Sequence, residues 1–242
     1  FVTGVGLALA AAGRAAAEIG RVLHGTTVAT NLILEGRTAP TALITTEGFR
    51  HVLEIGRADL PRRDNLWSWV KPKRPVPPSR VFEVSGRIGP GGAELAPLDE
   101  AGMRVAARAA AASGARAVAV CFLHAFANPA HERRALAILA EEAPELAATA
   151  SCDVLPVVRE YERSMATVLN AAVMPAVSTY VARLEERLAG AGIAAPLLLM
   201  KSNGGVAGSA AIRRQPVQTA LSGPAAGVVG ARAVAEAAGL PD

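Results

Sequence analysis

Short apolar runs alternate with longer stretches of helical periodicity along the chain. These runs predict strands at residues 19–23, 41–45, 148–155, 197–200 and 217–221. The continuous apolar run at residues 117–122 predicts a buried strand, as parallel sheets favour. Strict alternation predicts a further strand at residues 80–88. The periodic stretches predict helices at residues 28–34, 47–55, 99–113, 128–143, 160–189 and 225–238. Strands that alternate with helices are typical of an α/β fold with mostly parallel sheets and helical crossovers, and we expect that fold class.

Local signals refine these elements. Asp99 can cap one helix, and Asn128 followed by Pro129 is typical of the start of another. Pro175 predicts a bend in the longest helix. Residues 90–92, Pro-Gly-Gly, predict a turn.

The composition excludes several classes of protein. Hydrophobic residues make up 51% of the chain, which is too many for a disordered protein. Two cysteines, Cys121 and Cys152, cannot build a disulfide scaffold. No run of about 20 large apolar residues occurs, so a membrane protein is not expected.

The apolar stretch near the start, residues 5–12, resembles the core of a secretory signal. No basic segment precedes it, and the chain begins with Phe1 rather than methionine. We interpret it as the end of an amphipathic helix in a fragment or processed chain. A cytoplasmic protein with free thiols is therefore expected.

The net positive charge of +4 is compatible with binding to an anionic partner, so clusters of basic residues are relevant. A basic, proline-rich segment spans residues 57–80 and carries Trp67 and Trp69. Its basic residues are Arg57, Arg62, Arg63, Lys71, Lys73, Arg74 and Arg80. Two interpretations stay open, a loop that binds an anion or a partner and a solvated excursion stiffened by proline. Nucleic acid is not an expected partner, because the sequence shows neither a recognition helix nor an RNA-binding aromatic pair.

Common catalytic signatures are absent from the sequence, which has no P-loop, no G-x-S-x-G elbow and no H-E-x-x-H motif. The histidines are His24, His51, His124 and His131. They are scattered, so no metal site is expected. Cys121 lies in an apolar run and is expected in the core, and Cys152 is also interpreted as structural.

Two polar turns follow predicted strands. The first is His24-Gly25-Thr26-Thr27, with Asn31 one helical turn further on, and the second is Ser202-Asn203-Gly204-Gly205. Open α/β sheets bind ligands at the carboxyl ends of their strands, where backbone N–H groups and hydroxyls suit an anion. The alternatives are ordinary helix capping by threonine and an ordinary glycine turn.

Two further segments are unusual. Residues 159–164 carry alternating charges, which favour a buried ion-pair network or a substrate clamp over simple helix stabilisation, with a solvated helix face as the alternative. In the last helix, Ser222 can serve as a cap. Gly227 and Gly230 inside that helix predict a close crossing with another element or a hinge.

Taken in order, these segments resemble the hydantoinase A/5-oxoprolinase family. That family includes the ATP-hydrolysing subunits of N-methylhydantoinase and of acetone and acetophenone carboxylases. The segments that carry the resemblance are residues 24–31, 42–50, 53–57, 159–163, 202–205 and 221–231. Any one of them is a weak signal, but the ordered set is strong and spans nearly the whole chain.

The resemblance implies an actin/Hsp70/sugar-kinase-like ATPase fold, with ATP between two lobes and the helix from Pro224 at the hinge. It assigns residues 1–165 to the N-terminal-type region of the family and residues 166–242 to the start of its ATPase domain. The two Asp-containing, glycine-rich hairpins that hold phosphates in such folds are not found in this sequence. We therefore expect an internal fragment that is inactive alone, with its catalytic residues unknown.

For the intact protein, the resemblance implies ATP and Mg²⁺ as cofactors and a hydantoinase B-type subunit or fused domain as partner, in a hetero-oligomer. ATP would phosphorylate a carbonyl or enolate oxygen of the substrate. A hydrolase of cyclic amides of the hydantoin or 5-oxoproline type is expected, with a ketone carboxylase subunit and a non-catalytic fragment as alternatives. The residues expected near substrate or nucleotide are His24, Thr26, Thr27, Asn31, Asn203, Gly204, Gly205, Ser222 and Gly223.

Overall fold

The computed structural model describes residues 1–57 and 74–240. Its helices are α1 (Val2–Ala12), α2 (Val28–Leu34), α3 (Val52–Ile55), α4 (Glu100–Ala112), α5 (Ala130–Glu142), α6 (Ser151–Val154), α7 (Glu160–Gly190), α8 (Ser209–Arg214) and α9 (Ser222–Ala237). Its strands are β1 (Val22–His24), β2 (Thr41–Thr46), β3 (Val81–Val84), β4 (Arg87–Ile88), β5 (Glu94–Ala96), β6 (Ala117–Cys121), β7 (Ala147–Ala150), β8 (Leu197–Met200) and β9 (Val206–Gly208). The chain divides into two compact units, one of Phe1–Thr38 with Ala176–Asp242 and one of Ala39–Pro175.

The unit of Ala39–Pro175, here called the middle unit, is built on a four-stranded parallel sheet of order β3-β2-β6-β7. Every residue of the central strands β2 and β6 is buried, which explains the continuous apolar sequence of β6 and the apolar centre of β2 at residues 42–44. The buried Thr45 hydroxyl of β2 donates to the Cys121 carbonyl at 3.0 Å. On one face, Ile44 and Val118 belong to a core with Met103 of α4 and Ile138 of α5. The other face packs against α7 and the segment around Val76. The sheet is therefore covered on both faces, and the predicted α/β class with parallel pairing is confirmed for this unit.

The strand predicted at residues 80–88 is broken in the structure. β3 ends at Val84, and β4 leaves the parallel sheet to form an antiparallel hairpin with β5. Gly86 lies at the break with φ +143, and a Cβ on it would lie 3.0 Å from Leu98 Cα. Because backbone atoms cannot move aside as a flexible side chain can, the chain passes here only with glycine.

We expect Gly86→Ala to lower the free energy of unfolding by about 1–3 kcal/mol, because it adds both a clash and an unfavourable φ. Gly91→Ala in the same hairpin is the matched control, since a Cβ at Gly91 would meet nothing within 4 Å. Urea unfolding of both variants measures the difference. Equal midpoints would contradict this account of the break.

The unit of Phe1–Thr38 with Ala176–Asp242, here called the terminal unit, contains a three-stranded sheet of order β1-β8-β9. β1 and β8 are parallel, whereas β8 and β9 are antiparallel. The part of α7 in this unit buries a helical stripe of Val177, Val181, Leu184 and Leu188. The predicted helix at 28–34 and strand at 197–200 are confirmed.

Several predictions about single elements were wrong. The strand predicted at 217–221 is a 3₁₀ turn, Pro216–Thr219, in which the Thr219 hydroxyl donates to the Pro216 carbonyl at 2.8 Å. Proline at the start lacks the N–H that a sheet ladder needs, so it favours the turn. The strand predicted at 148–155 ends at Ala150 and continues as α6, and only α3 is helical within 47–55.

The first helix also differs from expectation. α1 is helical as predicted, but none of its residues is buried. Its sequence has Thr3 as its one polar side chain, so it has no polar face and is not amphipathic.

Among the described helices, α7 is long and apolar enough to cross a membrane by length and composition. A buried core helix of a soluble protein passes the same test. α7 buries the polar side chains Arg163, Thr167 and Asn170 within protein, and it runs through Pro175 without a break. These features are those of a helix packed inside a protein core.

Candidate functional site

The two polar turns lie at the same edge of the β1-β8-β9 sheet. β1 ends at His24 and β8 ends at Met200, and His24 is in register with Leu199. Since the two strands are parallel, the turn after β1 and the turn after β8 are neighbours. This edge is where open α/β sheets bind ligands.

The first residues of α9 are hydrogen-bonded to the first turn. The Ser222 hydroxyl donates to the Thr26 carbonyl at 2.9 Å, and the Leu221 N–H donates to Thr30 Oγ1 at 2.8 Å. A Cβ on Gly223 would lie 3.4 Å from Thr27 Cγ2. The expectation that Ser222 caps its own helix was wrong, because its hydroxyl bonds across to another segment and Leu221 precedes the helix with φ +61.

The next turns of α9 pass both loops. A Cβ on Gly25 would lie 3.7 Å from Ala226 Cβ, and one on Gly204 would lie 3.9 Å from Val229 Cγ2. By contrast, a Cβ on Gly227 or Gly230 would meet nothing within 4 Å, so the predicted close crossing does not occur at these two glycines, and the alternative of a hinge there stays a prediction. The close approaches occur at the glycines of the loops and at the helix start.

These contacts gather three segments, residues 24–31, 202–205 and 221–223, which we call the turn cluster. Every residue that the sequence nominated near substrate or nucleotide lies within it. They are His24, Thr26, Thr27, Asn31, Asn203, Gly204, Gly205, Ser222 and Gly223. Their role in binding stays a prediction.

The two threonines of the first turn differ in exposure. Thr26 is buried, and its Oγ1 accepts from the Val28 N–H at 3.3 Å. Thr27 and Asn31 are exposed, with 3.4 Å between Thr27 Oγ1 and Asn31 Nδ2. The Thr26 hydroxyl thus serves a local turn rather than a helix cap, because Thr27 is the N-cap residue of α2 and makes no side-chain cap bond. Thr27 and Asn31 keep hydroxyl and amide groups at the surface.

The second turn is closed by its own asparagine. Asn203 Oδ1 accepts from the Gly205 N–H at 3.0 Å, and Gly204 has φ +80. The Ser202 N–H donates to the Gln218 carbonyl at 2.7 Å, which ties this turn to the segment before α9. The side-chain oxygen of Asn203 is thus used in the turn, and its amide nitrogen is the remaining donor of this exposed side chain.

His24 is held by groups that the sequence did not nominate. Its Nε2 lies 2.6 Å from the Tyr180 hydroxyl, and its ring centroid lies 4.4 Å from that of Phe1. Burial lowers the pKa of His24, which favours the neutral ring at pH 7. Thr30 could have been found from its place inside the motif 24–31, but Tyr180 carries no local signal.

The chemistry of the turn cluster suits an anionic or electron-rich ligand. Its three segments contain hydroxyl, amide and backbone N–H donors and no acidic side chain. Within residues 1–57 and 74–240, no group of three or more His, Cys, Asp or Glu side chains could hold a metal ion. The cluster can therefore offer hydrogen bonds to phosphate or carbonyl oxygens, but it does not offer carboxylates to a cation.

The charged run at 159–164 meets the corresponding edge of the sheet in the middle unit. Arg163 is buried, its Nη2 donates to the Phe122 carbonyl at 2.7 Å, and its guanidinium carbon lies 5.6 Å from the Phe126 ring centroid. Glu162 pairs with Arg57. A solvated face is therefore wrong for Arg163, and its observed bonding partner is a carbonyl rather than a carboxylate. The substrate-clamp role stays a prediction.

A buried carboxylate that the sequence did not reveal lies at the same edge. Glu132 accepts from the Phe122 N–H at 2.8 Å, the Ser151 hydroxyl at 2.6 Å and the Cys152 N–H at 2.8 Å. Burial raises its pKa, and these three donors oppose that shift. In sequence, Glu132 is one acidic residue among several on a charged helix, so nothing marks it as buried.

Comparison with known proteins supplies the family. Residues 1–143 match the hydantoinase/oxoprolinase N-terminal region, and residues 163–242 match the hydantoinase/oxoprolinase model. The chain belongs to the hydantoinase/oxoprolinase family. The resemblance drawn from the sequence motifs is confirmed, whereas the domain boundary expected at residue 165 stays a prediction.

Two curated relatives illustrate the chemistry found in the hydantoinase/oxoprolinase family. The caprolactamase subunit alpha of Pseudomonas jessenii is 31% identical over 235 residues, covering 95% of this chain and 34% of the relative. The acetophenone carboxylase gamma subunit of Aromatoleum aromaticum is 32% identical over 222 residues, covering 86% of this chain and 30% of the relative. The chain thus spans about a third of the length of these family members.

Solved structures of the family share the fold. The crystal structure of the ATP-dependent caprolactamase from Pseudomonas jessenii matches with a TM-score of 0.85 at 30% identity, over 98% of this chain and 35% of that chain. Nucleotide-free acetone carboxylase matches with a TM-score of 0.85 at 26% identity, over 96% of this chain and 34% of that chain. The expected fold class, part of an actin/Hsp70/sugar-kinase-like α/β ATPase fold, agrees with both likenesses.

Two of the other three histidines contact the β4–β5 hairpin, whereas His51 Nδ1 lies 3.4 Å from Glu54 Oε2 on α3. His124 Nδ1 lies 2.7 Å from the Ile88 carbonyl oxygen, and His131 Nε2 lies 2.7 Å from Glu94 Oε1. Both imidazoles are thus used in packing the hairpin against the start of α5.

Part of the basic segment predicted as a possible binding loop, residues 58–73, lies outside the described residues. At its ends, Arg57 pairs with Glu162, Arg74 pairs with Glu54, and Arg80 Nε donates to the Ser113 carbonyl at 3.2 Å. These three basic side chains are engaged within the middle unit. Whether the segment binds an anion or a partner stays a prediction.

The two cysteines are free thiols. Cys121 is buried in the core as expected, with its Sγ 3.2 Å from the Ser164 hydroxyl, and burial raises its pKa. Burial also raises the pKa of Cys152 to about 12, and the nearby Glu132 carboxylate adds to that shift. Neither sulfur is therefore a good nucleophile at neutral pH.

We expect both thiols to react with iodoacetamide at pH 8 at least about tenfold more slowly in the folded chain than in urea, because the thiolate is the reactive form. Mass spectrometry of quenched samples follows each cysteine separately. Rapid alkylation of Cys152 in the folded chain would show that its thiolate is far more accessible than the surrounding charges allow.

We expect Ser222→Ala to loosen the turn cluster, because it leaves the buried Thr26 carbonyl without its donor, at a cost of about 1–3 kcal/mol. Hydrogen exchange should accelerate at residues 25–31 and 221–226. Ser202→Ala is the control, since that side chain is exposed and only its backbone N–H is bonded. Similar exchange in both variants would indicate that the Ser222 bond does not hold the cluster.

Proposed function

We propose that the chain forms part of an ATP-dependent enzyme that opens a cyclic amide of the hydantoin or 5-oxoproline type. The observation that carries the proposal is the turn cluster, in which donors from three distant segments meet at the carboxyl ends of two parallel strands. Membership of the hydantoinase/oxoprolinase family and the likeness to an ATP-dependent caprolactamase support it.

The residues of the turn cluster fit a phosphate-bearing ligand. Thr27, Asn31 and Asn203 are exposed hydroxyl and amide donors, and the glycines at 204, 205 and 223 let a ligand approach the backbone closely. When bound, ATP would supply the phosphoryl group that activates the amide carbonyl oxygen. The role proposed for this chain's own residues is to bind and orient oxygens of the ligand.

Mg²⁺ would need carboxylate ligands that the turn cluster does not contain. We propose that such groups come from elsewhere in the intact protein and that the present chain alone does not hydrolyse ATP. Its span of about a third of its relatives supports this division.

The proposed assembly is a hetero-oligomer in the cytoplasm, with a hydantoinase B-type subunit or fused domain that completes the reaction. The names of two relatives, a subunit alpha and a subunit gamma, support a multi-subunit enzyme. The proposed partners include neither nucleic acid nor membrane.

A ketone carboxylase subunit is the second candidate function. A specific observation favours it, since the acetophenone carboxylase gamma subunit is as similar to this chain as the caprolactamase subunit, at 32% against 31% identity. The third candidate, a non-catalytic fragment, predicts no turnover in any assembly.

ATP hydrolysis by the full-length protein with its partner subunit tests these candidates. We expect stimulation by a hydantoin or 5-oxoproline, with one ring-opened product for each ATP consumed. Stimulation by acetone or acetophenone together with bicarbonate would favour the carboxylase instead. If no substrate stimulates hydrolysis, both enzymatic proposals are wrong.

A site variant ties the activity to the turn cluster. We expect Thr27→Val to lower kcat/KM at least about tenfold, because it removes an exposed hydroxyl donor at the edge of the sheet. Thr3→Val on α1 is the matched control, since Thr3 is equally exposed but lies outside the cluster. Equal activities would place the ligand elsewhere.

A further inference from the structure

The imidazole of His24 is fixed by contacts within the terminal unit. Its Nε2 lies 2.6 Å from the hydroxyl oxygen of Tyr180 on α7, and the two ring centroids are 5.9 Å apart. Among the described residues, Nδ1 has no hydrogen-bond partner. One ring nitrogen is therefore committed to tyrosine, and the other makes no hydrogen bond to these residues.

Tyrosine decides which nitrogen carries the proton. A neutral imidazole has one N–H donor and one bare acceptor, and the hydrogen bond made by one nitrogen fixes the role of the other. His24 is half-buried, and its lowered pKa keeps it neutral at pH 7. A phenol is a better donor than acceptor towards a neutral imidazole, because imidazole is much the stronger base. The Tyr180 O–H then donates to Nε2, and the proton of His24 lies on Nδ1.

Tyr180 is well placed to hold this arrangement. It lies on α7 beside Val181, which is fully buried, and close to the buried Val177 and Leu184 of the same helix. The hydroxyl is therefore presented by an anchored helix rather than by a loop. His24 in turn is the last residue of β1, directly before the turn cluster's Gly25.

We propose that Tyr180 is a positioning residue that holds His24 as its Nδ1–H tautomer, so that Nδ1 donates a hydrogen bond to an electron-rich oxygen of the ligand bound at the turn cluster. The inference rests on the proposed function for the identity of that ligand. The oxygen belongs either to the phosphates of ATP or to the carbonyl of the cyclic amide, and both kinds of oxygen accept a hydrogen bond from an Nδ1–H group.

The first test reads the tautomer directly. In full-length protein labelled with ¹⁵N in its histidine rings, the spectrum of His24 is assigned as the one lost in His24→Gln. We expect a single Nδ1–H tautomer in the wild type and a mixture of tautomers in Tyr180→Phe. Tyr161→Phe is the control, since it removes the chain's other tyrosine hydroxyl, which lies in the middle unit.

An Nε2–H tautomer in the wild type, or an unchanged His24 signal in Tyr180→Phe, would overturn the proposal. This readout requires no turnover, so it stands whether or not the proposed function is correct. If the tautomer behaves as expected but no substrate stimulates ATP hydrolysis, the proposed function fails and the positioning role of Tyr180 stands.

The second test identifies the oxygen. We expect Tyr180→Phe and His24→Gln each to reduce kcat/KM by roughly tenfold, and the double variant to lose no more than either single one, because the two residues act as a unit. A rise in KM for ATP assigns the contact to a phosphate, whereas a rise in KM for the amide assigns it to the carbonyl. Fully additive losses would show that Tyr180 does not act through His24.

Discussion

The parallel pairing of β1 with β8 is the contact on which the candidate site depends. It joins two strands that lie far apart in the sequence and sets their carboxyl ends at one edge of a sheet. Only then do the turns at residues 24–27 and 202–205 meet, and only then does α9 lie across both. The pairing covers three residue pairs, and the buried bond from Ser222 to Thr26 joins the start of α9 to the same edge.

The carboxyl edges of the two sheets differ in whether their polar groups are occupied by buried side chains or exposed. In the middle unit, Glu132 accepts from the N–H groups of Phe122 and Cys152, and Arg163 donates to the Phe122 carbonyl. Internal charges thus occupy backbone groups that a ligand could use, at the desolvation cost of burying them. In the terminal unit, Thr27, Asn31 and Asn203 stay exposed at the corresponding edge. This difference supports the proposal that the ligand binds at the turn cluster.

The sequence is informative where one face or one short segment decides the outcome. β6 is apolar along its whole length and β2 has an apolar centre at residues 42–44, so both strands were predicted well. Asp99 caps α4 by accepting from the Gly102 N–H at 3.0 Å, as expected. Prediction failed where partners are distant. Residues 217–221 are apolar enough for a strand, but Pro216 and the bond from Ser202 to Gln218 hold the segment as a turn.

The glycines and the histidine of the site show why a sequence motif does not by itself predict the contacts or the protonation state of the folded site. Glycine marks a place where something approaches closely, but not what approaches, so Gly227 and Gly230 suggested a crossing that the structure has at Gly25 and Gly204. The motif likewise names an imidazole at position 24 without saying which nitrogen holds the proton. That choice belongs to a tyrosine 156 residues away, whose own surroundings in sequence are those of an ordinary buried helix. The reactive state of such a site is therefore a property of the folded contacts rather than of the motif.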